Sequence, residues 1–368
     1  MAELLKYIYN NAFFETYSSA LSEVIPAFDK TAFMAAFAAP HWESLELKQR
    51  MAYLAHITDK WLPESNQEKV DTIIRLIEVL QKLGVKDQNL EYIFLPDIII
   101  EHGMNDLKTT VDAIEKVTQF VSCEFAGRAL IMKYPKEMMR QMLRWTSHKN
   151  ENVRRYASEG CRPRLPWGTK LMALVHNPTP CFPVLEKLMD DPSVYVRKSV
   201  ANHLNDISKD HPDLVVDFIK KWKGHTETSD WILRHGARTL LKSGHPEVLH
   251  IFGTSGHFPY KLEKFIVENT IVTPDDHLSF SFMLTNLDEK EAVFRVEYNI
   301  WYVKAGGHYS KKIFKIAEKP IAVLSGKTFK KVHRFQDLTT RKHHPGTHKI
   351  SLVINGNESD ALSFEVKI

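Results

Sequence analysis

A short amino-acid string recurs in the first two thirds of this chain at a spacing near 40 residues. Residues 152–160 read NVRRYASEG, and the string returns as YVRKSVANH from Tyr195 and, more loosely, as ILRHGARTL from Ile232. The Val-Arg or Leu-Arg steps are 43 and then 37 residues apart. Helix pairs recurring at this period are typical of HEAT and armadillo solenoids, in which each pair packs on its neighbours. We therefore expect an all-helical solenoid whose second helices line one continuous surface.

A second marker supports the same repeat. Pro135 precedes Trp145 by ten residues, and Pro212 precedes Trp222 by the same ten. In the copy that reads DDPSVYVRKSVANHL, the Asp-Pro step opens a helix. The helical period then directs four side chains to the core, namely Val194, Val196, Val200 and Leu204, and leaves Arg197, Lys198, Ala201 and Asn202 nearer the outside.

The periodicity changes from helical to alternating after about residue 252. Leu278, Phe280, Phe282 and Leu284 alternate with polar or smaller neighbours, as does the C-terminal run from Leu362. Asn355-Gly356 is a hairpin-type turn between such runs, and GTSGHFPY before them is the natural linker. The sequence predicts an α + β multidomain chain: a HEAT-like helical solenoid over 1–254 and an immunoglobulin-like β-sandwich over 262–368.

Charge is unevenly distributed along the 368 residues. The net charge is +4, yet residues 124–170 hold eleven Lys and Arg against four acids, and residues 304–349 hold twelve against two. Two basic regions in an otherwise acidic chain indicate an anionic partner, although lysine-rich solvated surface is the alternative. Three cysteines without CxxC spacing, and eighteen histidines without HExxH, disfavour a disulfide framework and a metal site. We expect no cofactor, no membrane segment and no removable leader.

The segment between two repeats is unusual for a solenoid. ASEGCRPRLPWGTK, residues 157–170, interrupts the helical pattern with Gly160, Pro163, Pro166 and Gly168. It displays Arg162 and Arg164, whose planar forks suit phosphate oxygens, and Trp167, whose flat face suits a base or sugar. This combination favours a functional loop over a purely structural turn.

The succession CEFAGRALI, ASEGCRPRLPWG and DPSVYVRKSVANHLNDISKDHPD resembles the AlkC branch of the AlkC/AlkD alkylpurine DNA glycosylases. The resemblance covers essentially the whole chain and is most specific over residues 159–213. It implies an intracellular bacterial base-excision repair enzyme, cytoplasmic and monomeric, that acts on duplex DNA. The implied reaction is hydrolysis of the N-glycosidic bond of cationic alkylated bases such as 3-methyladenine and 3-methylcytosine, without flipping of the base.

The resemblance also implies site residues. The matching acids are Glu124, Glu159 and Asp206, with Trp167 at the lesion, and the carboxylates would stabilise an oxocarbenium-like sugar and orient water. The residues expected to bind DNA are Arg154, Arg162, Arg164, Arg197, Asn202, Arg234 and Arg238, together with Lys342 and His344 in the basic loops of the sandwich, which would clamp the DNA.

Each of these residues has a structural alternative. Glu124, read as part of an apolar helix, has Arg128 one turn later as a partner. Glu159 has Arg155 or Arg162, and Asp206 lies where it can cap a helix end. Arginines at the position of Arg154 and Arg197 commonly tie neighbouring repeats through a carboxylate such as Asp190 or Asp191. The alternative for the whole chain is a non-enzymatic HEAT-repeat scaffold that binds DNA or protein; a metal-dependent nuclease lacks paired acids at metal spacing.

Overall fold

The structure is a computed structural model that describes residues 4–38, 40–252, 259–273, 276–336 and 343–367. Its described part is helical as far as Ile251 and consists of β-strands from Tyr260 onward. Among these helices, none combines the length and apolar character that a bilayer crossing requires. The fold class predicted from the sequence is thus confirmed.

Seventeen α-helices lie in the described residues: α1 Asn11–Val24, α2 Lys30–Ala35, α3 Pro40–Ser44, α4 Leu47–Asp59, α5 Asn66–Lys82, α6 Leu95–Gly103, α7 Leu107–Phe120, α8 Arg128–Lys133, α9 Pro135–Trp145, α10 Glu151–Glu159, α11 Met172–His176, α12 Phe182–Lys187, α13 Val194–Ile207, α14 Pro212–Trp222, α15 Glu227–Gly236, α16 Arg238–Ser243 and α17 Pro246–Ile251. Short 3-10 helices add Leu5–Ile8, Leu90–Tyr92 and Thr179–Cys181. Compact packing divides the chain into one unit of Met1–Val215 with Trp222–Gly236 and another of Val216–Lys221 with Ala237–Ile368.

The recurring strings fall on successive second helices. NVRRYASEG forms α10, YVRKSVANH lies in α13 and ILRHGARTL lies in α15 and the residues after it. Helix α10 packs against α13, and α13 packs against α15, so the order in the chain is also the order in space. The proline and tryptophan markers begin and end α9 and α14, which are eleven residues each. Proline suits the first helical position because its missing N–H has no intrahelical partner there.

The side chains of α13 correct two expectations. Val196, Val200 and Leu204 are fully buried as predicted, but Val194 is exposed because it is the first residue of the helix. Ala201, expected nearer the outside, is fully buried. A helix that contacts α10 on one side and α15 on the other buries a wider face than one apolar stripe.

The C-terminal strands form two sheets. Their bounds are β1 Tyr260–Val267, β2 Ile271–Val272, β3 His277–Asn286, β4 Ala292–Val303, β5 Tyr309–Ile321, β6 Gly326–Arg334, β7 Gly346–Ile354, β8 Asn357–Glu358 and β9 Leu362–Val366. One sheet has the order β1-β3-β6; the other has the order β2-β9-β7-β4-β5, with β8 beside β7. All pairings are antiparallel except that of β2 with β9.

The alternation predicted for the strands is present. Leu278, Phe280, Phe282 and Leu284 are buried at every second position of β3 and join one aromatic-rich core. Asn355 and Gly356 both have positive φ and connect β7 to β8, as a two-residue hairpin turn requires. The boundaries 1–254 and 262–368 remain a prediction, since most of the proposed linker lies outside the described residues.

We predict that Leu204→Ala lowers the free energy of unfolding by about 2–5 kcal/mol, because the removed atoms lie in the contact between α13 and α15. The control is Leu214→Ala on α14, whose side chain is 38% exposed whereas Leu204 is 0% exposed. Denaturant unfolding followed by helical circular dichroism measures both. Equal losses for the two variants would contradict this account of the packing.

Candidate active site: a buried chain of carboxylates and arginines

Three carboxylates from three separate elements are joined by two arginines. Arg155, on α10, is ion-paired with Glu124 and lies 3.4 Å (Nη2) from Oε1 of Glu159. Arg162, just after α10, donates from Nη1 to Oε1 of Glu159 at 2.6 Å and from Nε to Oδ2 of Asp206 at 2.8 Å. The result is a continuous sequence of opposite charges: Glu124, Arg155, Glu159, Arg162 and Asp206. We call these five residues the carboxylate–arginine chain.

Local geometry explains why α10 supplies the middle of this chain. Residues 155, 159 and 162 are spaced by four and then three positions, so they share one face of a helix and its continuation. Asn150 caps the start of α10 by accepting from the N–H of Asn152. The first turns after α10 hold Arg162 beside Asp206, which lies in the last turn of α13.

The carboxylate–arginine chain is more deeply buried at Asp206 than at Glu124. Side-chain exposure rises from 3% for Asp206 to 7% for Glu159 and 14% for Glu124. Ser199 donates to Oε2 of Glu159 at 2.6 Å, and Lys209 donates to Oδ1 of Asp206 at 3.0 Å. Each of the three carboxylates therefore contacts at least two donor groups of the protein, of which at least one is charged.

The arginines respond to the same contacts. Burial works against the charge of Arg155, but the carboxylates of Glu159 and Glu124 outweigh it and raise the pKa of the guanidinium above its ordinary value. For Arg162 burial is again opposed, by Glu159 and Asp206, and the pKa is again raised. Both side chains thus remain cations, and the chain is held together by full charges.

Glu124 does not lie in a helix, contrary to the sequence interpretation. It is in the turn between α7 and α8, and its partner is Arg155 rather than Arg128. Gly127 makes this turn possible, because a Cβ there would lie 1.9 Å from the hydroxyl of the buried Tyr156. Ser122 adds a hydrogen bond of 2.9 Å to Oε2 of Glu124.

Arg128 has a different task, which the sequence did not reveal. It is almost fully buried, and it donates to the carbonyl of Gly160 at 3.2 Å, of Arg162 at 2.9 Å and also of Thr169. Burial lowers the pKa of this guanidinium. One side chain therefore fastens both ends of the segment that follows α10.

That segment displays Trp167. The indole is 54% exposed, and its backbone has φ of +65°, a left-handed conformation that is uncommon for a bulky residue. Lys48 of α4 donates to the carbonyl of Trp167, and Arg128 holds the carbonyl two residues later. A strained backbone kept by its surroundings is typical of functional sites.

Tyr195 is a further aromatic side chain beside the carboxylate–arginine chain. The guanidinium of Arg155 lies 4.9 Å from the centre of its ring, a cation–π contact. The tyrosine is at the start of α13, where Ser193 caps the helix, and 37% of it is exposed. The sequence offered no signal for Tyr195, since its position follows from the packing of α13 on α10.

The predicted DNA-binding arginines divide into internal and external ones. Arg154 forms a bidentate pair with Asp191, at 2.6 and 3.1 Å, and also donates to the carbonyls of His148 and Lys149. This is the structural alternative that the sequence left open, in which the arginine ties neighbouring repeats through a carboxylate. Arg162 is also internal, since it is buried and its donors bind Glu159 and Asp206. Arg164 is partly exposed and paired with Asp210 at 2.6 Å; half-buried Arg197 makes no side-chain ion pair with the described residues.

The remaining residues predicted to bind DNA are half-buried, exposed or outside the described residues. Asn202 and Arg234 are half-buried and Arg238 is exposed, and each interacts within the protein. His344 is half-buried, and its carbonyl lies 2.9 Å from Nε2 of His348. Lys342 lies outside the described residues.

Comparison with known proteins gives the class of the chain. The family model described as "DNA alkylation repair enzyme" matches residues 56–240. The family model described as "Uncharacterised protein YhaZ, C-terminal Ig-like domain" matches residues 261–368. The first match covers half of the chain, and the second covers the β-sheet region. The chain therefore belongs to the DNA alkylation repair enzyme family and carries an immunoglobulin-like C-terminal domain.

Two full-length relatives define the branch. The chain is 37% identical over 362 residues to "Uncharacterized protein YhaZ" of Bacillus subtilis (strain 168), covering 98% of this chain and 99% of that protein. It is 32% identical to Pseudomonas fluorescens alkylpurine DNA glycosylase AlkC, solved bound to DNA containing an abasic site analog, with a TM-score of 0.94 and complete coverage of both chains. Within its family the chain is AlkC-like.

We predict that Arg128→Met lowers the free energy of unfolding by about 3 kcal/mol or more, since it leaves three carbonyls without their donor. It also frees the segment around Trp167, which we expect to make the Arg164–Leu165 bond a new site of limited trypsin cleavage. Arg140→Met, an exposed substitution of the same kind on α9, is the control. If both variants resist trypsin as the wild type does, Arg128 does not restrain this segment.

Proposed function

We propose that the chain is a monofunctional DNA glycosylase that hydrolyses the N-glycosidic bond of cationic alkylated bases, such as 3-methyladenine and 3-methylcytosine, in duplex DNA. The observation that supports this most directly is the carboxylate–arginine chain, in which three carboxylates are held by two arginines whose side chains are only 12% and 7% exposed. The exposed Trp167 is held in the segment that follows it.

The chemistry of the substrate fits an anionic site without an acid. A base alkylated on a ring nitrogen already carries positive charge, so it leaves with the bonding electrons and needs no proton. The sugar then develops oxocarbenium character, and nearby carboxylates lower the energy of that transition state. Carboxylates held as anions by arginines suit this task better than a protonated general acid.

The three acids are proposed to act together. Glu124, whose side chain is the most exposed of the three, would meet the sugar or the incoming water, while the more deeply buried Glu159 and Asp206 would contribute negative charge. Water attack at the anomeric carbon needs a base to receive a proton, and a carboxylate of this group would serve. Preorganised charges act without reorganisation during the reaction, which the buried arginines would ensure.

Trp167 is proposed to contact the lesion nucleotide with its indole face, because aromatic faces stack on bases and sugars. The resemblance to the AlkC/AlkD glycosylases implies that the damaged base need not be extruded, and an indole exposed on a turn is compatible with that mode. Tyr195, beside Glu124, is proposed to cover Arg155 and hold it against the acids.

Phosphate contacts are proposed for the accessible arginines. These are Arg164, Arg197 and Arg234 in the first unit and Arg238 in the second. As the sequence predicts, Lys342 and His344 are proposed as further phosphate contacts. Arg154 and Arg162 are proposed to act indirectly, because their donors bind carboxylates and carbonyls of the protein. Duplex DNA is thus the proposed partner, and the sandwich is proposed as an auxiliary DNA-binding domain.

We predict that Asp206→Asn, Glu159→Gln and Glu124→Gln each slow release of 3-methyladenine by at least about 100-fold, because each removes negative charge facing the developing cation. Single-turnover release of free base from duplex DNA, with enzyme in excess, measures this. Glu78→Gln, the same chemical change on an exposed position of α5, should keep the wild-type rate.

Unfolding curves and DNA affinity are recorded for all four variants, so that misfolding is not mistaken for lost chemistry. A wild-type protein that binds the duplex but releases no base would falsify the glycosylase proposal and favour the alternative, a DNA-binding scaffold. Unchanged rates in all three acid variants would instead contradict the catalytic assignment alone.

We predict that Arg164→Ala and Arg197→Ala weaken binding to any duplex and reduce the salt dependence by about one phosphate contact each. Asp210→Asn should have the opposite effect, since it releases Arg164 from its present partner. Fluorescence anisotropy at several salt concentrations measures the slopes, with Arg75→Ala on α5 as the control. Tighter binding by Arg164→Ala, or weaker binding by Asp210→Asn, would contradict this role.

A further inference from the structure

Two cysteines and a histidine meet in the core behind the carboxylate–arginine chain. Cys161 follows the end of α10, Cys181 ends a 3-10 helix before α12, and His203 lies in α13. All three are fully buried, and one ligand atom from each lies within 4.8 Å of the others. Among the described residues, no other group of three His, Cys, Asp or Glu is this close. The spacing along the chain gave no sign of it.

The orientation of His203 adds an independent observation. Its Nδ1 lies 3.0 Å from the carbonyl oxygen of Ser158, and since a carbonyl only accepts, Nδ1 carries the proton. Nε2 is then an acceptor, and it has no hydrogen-bond partner among the described residues although it is buried. A histidine held by a backbone carbonyl through one nitrogen, with the other nitrogen free, is the usual arrangement of a metal ligand.

We propose that Cys161, Cys181 and His203 form a structural site for a soft d10 metal ion, Zn²⁺ or Cu⁺, bound through two thiolates and Nε2. Thiolate and imidazole donors favour these two ions over Mg²⁺ or Ca²⁺. Metal–ligand bonds of about 2.0–2.3 Å require the ligand atoms to lie roughly 3.5–4 Å apart. They now lie within 4.8 Å of one another, so binding would draw them slightly closer. Binding replaces the two thiol protons, which leave to solvent, so affinity increases with pH.

The charges of the site suit this ion. With two thiolates and a neutral imidazole, Zn²⁺ gives a neutral centre and Cu⁺ gives a centre of charge −1. At present the thiols have only weak contacts: Sγ of Cys161 lies 3.2 Å from the carbonyl of Ala157, and Sγ of Cys181 lies 3.9 Å from that of Cys161. A metal would therefore replace weak sulfur hydrogen bonds and give the orphaned nitrogen a partner.

The site would stabilise the proposed active site without taking part in the reaction. Cys161 lies between Glu159 and Arg162 in the chain, and His203 is three residues before Asp206. An ion that joins the end of α10 to α13 fixes the two elements between which Arg162 bridges its carboxylates. Complete burial excludes substrate from the ion.

Metal content of the full-length protein tests this. The protein is purified under reducing conditions without chelator or polyhistidine tag, from cells grown with added zinc or, separately, with added copper and a reductant, and is analysed by elemental mass spectrometry. We expect about one Zn or one Cu per chain, and the two growth conditions identify the ion. A Cys161→Ala/Cys181→Ala variant should lose it. Cys123→Ala, which removes the other buried cysteine, is the matched control and should retain it.

A second measurement does not depend on folding of the double variant. Mercurial modification of the thiols in denaturant, with a metal-sensitive dye present, should release one metal equivalent from the wild type and from Cys123→Ala. Wild-type protein with no more metal than the double variant in both growth conditions overturns the proposal. Base release by metal-free protein would still leave the glycosylase proposal standing, so the two can fail separately.

Discussion

The ion pairs that Arg155 and Arg162 form with three carboxylates are the interaction on which the candidate site depends. Burying a carboxylate without a partner costs several kcal/mol. Three carboxylates lie close together here, namely Glu124, Glu159 and Asp206, so their partners decide whether the site is stable. Arg155 and Arg162 each contact two of them and share Glu159, so removing Arg155 leaves Glu124 without its guanidinium and removing Arg162 leaves Asp206 without its guanidinium. The network also links the turn before α8, the end of α10 and the end of α13. Its geometry therefore follows from the stacking of these repeats rather than from any single segment.

The repeat was predictable because the packing of a solenoid is local and periodic. A helix pair that recurs about every 40 residues must place its apolar positions alike in each copy, and the strings at Asn152, Tyr195 and Ile232 do form successive packed helices. The limit of this reasoning appears at Ala201, which a single apolar stripe places outside. Contact with neighbours on both sides buries it, and a pattern within one helix contains no information about the second neighbour.

The partners of the charged residues were only partly predictable. Glu159 pairs with residues four positions before and three after it, as helical spacing indicates. The pairing of Glu124 with Arg155 joins residues 31 apart, and it depends on a turn that Gly127 permits. Nor does sequence separate arginines that bind carboxylates from those that bind phosphates, because the planar guanidinium suits both. Burial separates Arg162 from Arg164, two residues apart: both pair with a carboxylate, but only Arg164 is partly exposed.

The same network bears on which lesions the proposed glycosylase would excise. An uncharged base leaves readily only when an acid protonates it, and each carboxylate of this network is engaged by a guanidinium. A cationic base needs no such donor, and its own charge is attracted by the same anions. The proposed selectivity for cationic lesions would then require no pocket that recognises each base. It would follow from the rate at which the base departs, so a scaffold of helical repeats that displays Trp167 beside these anions would be sufficient for the proposed chemistry.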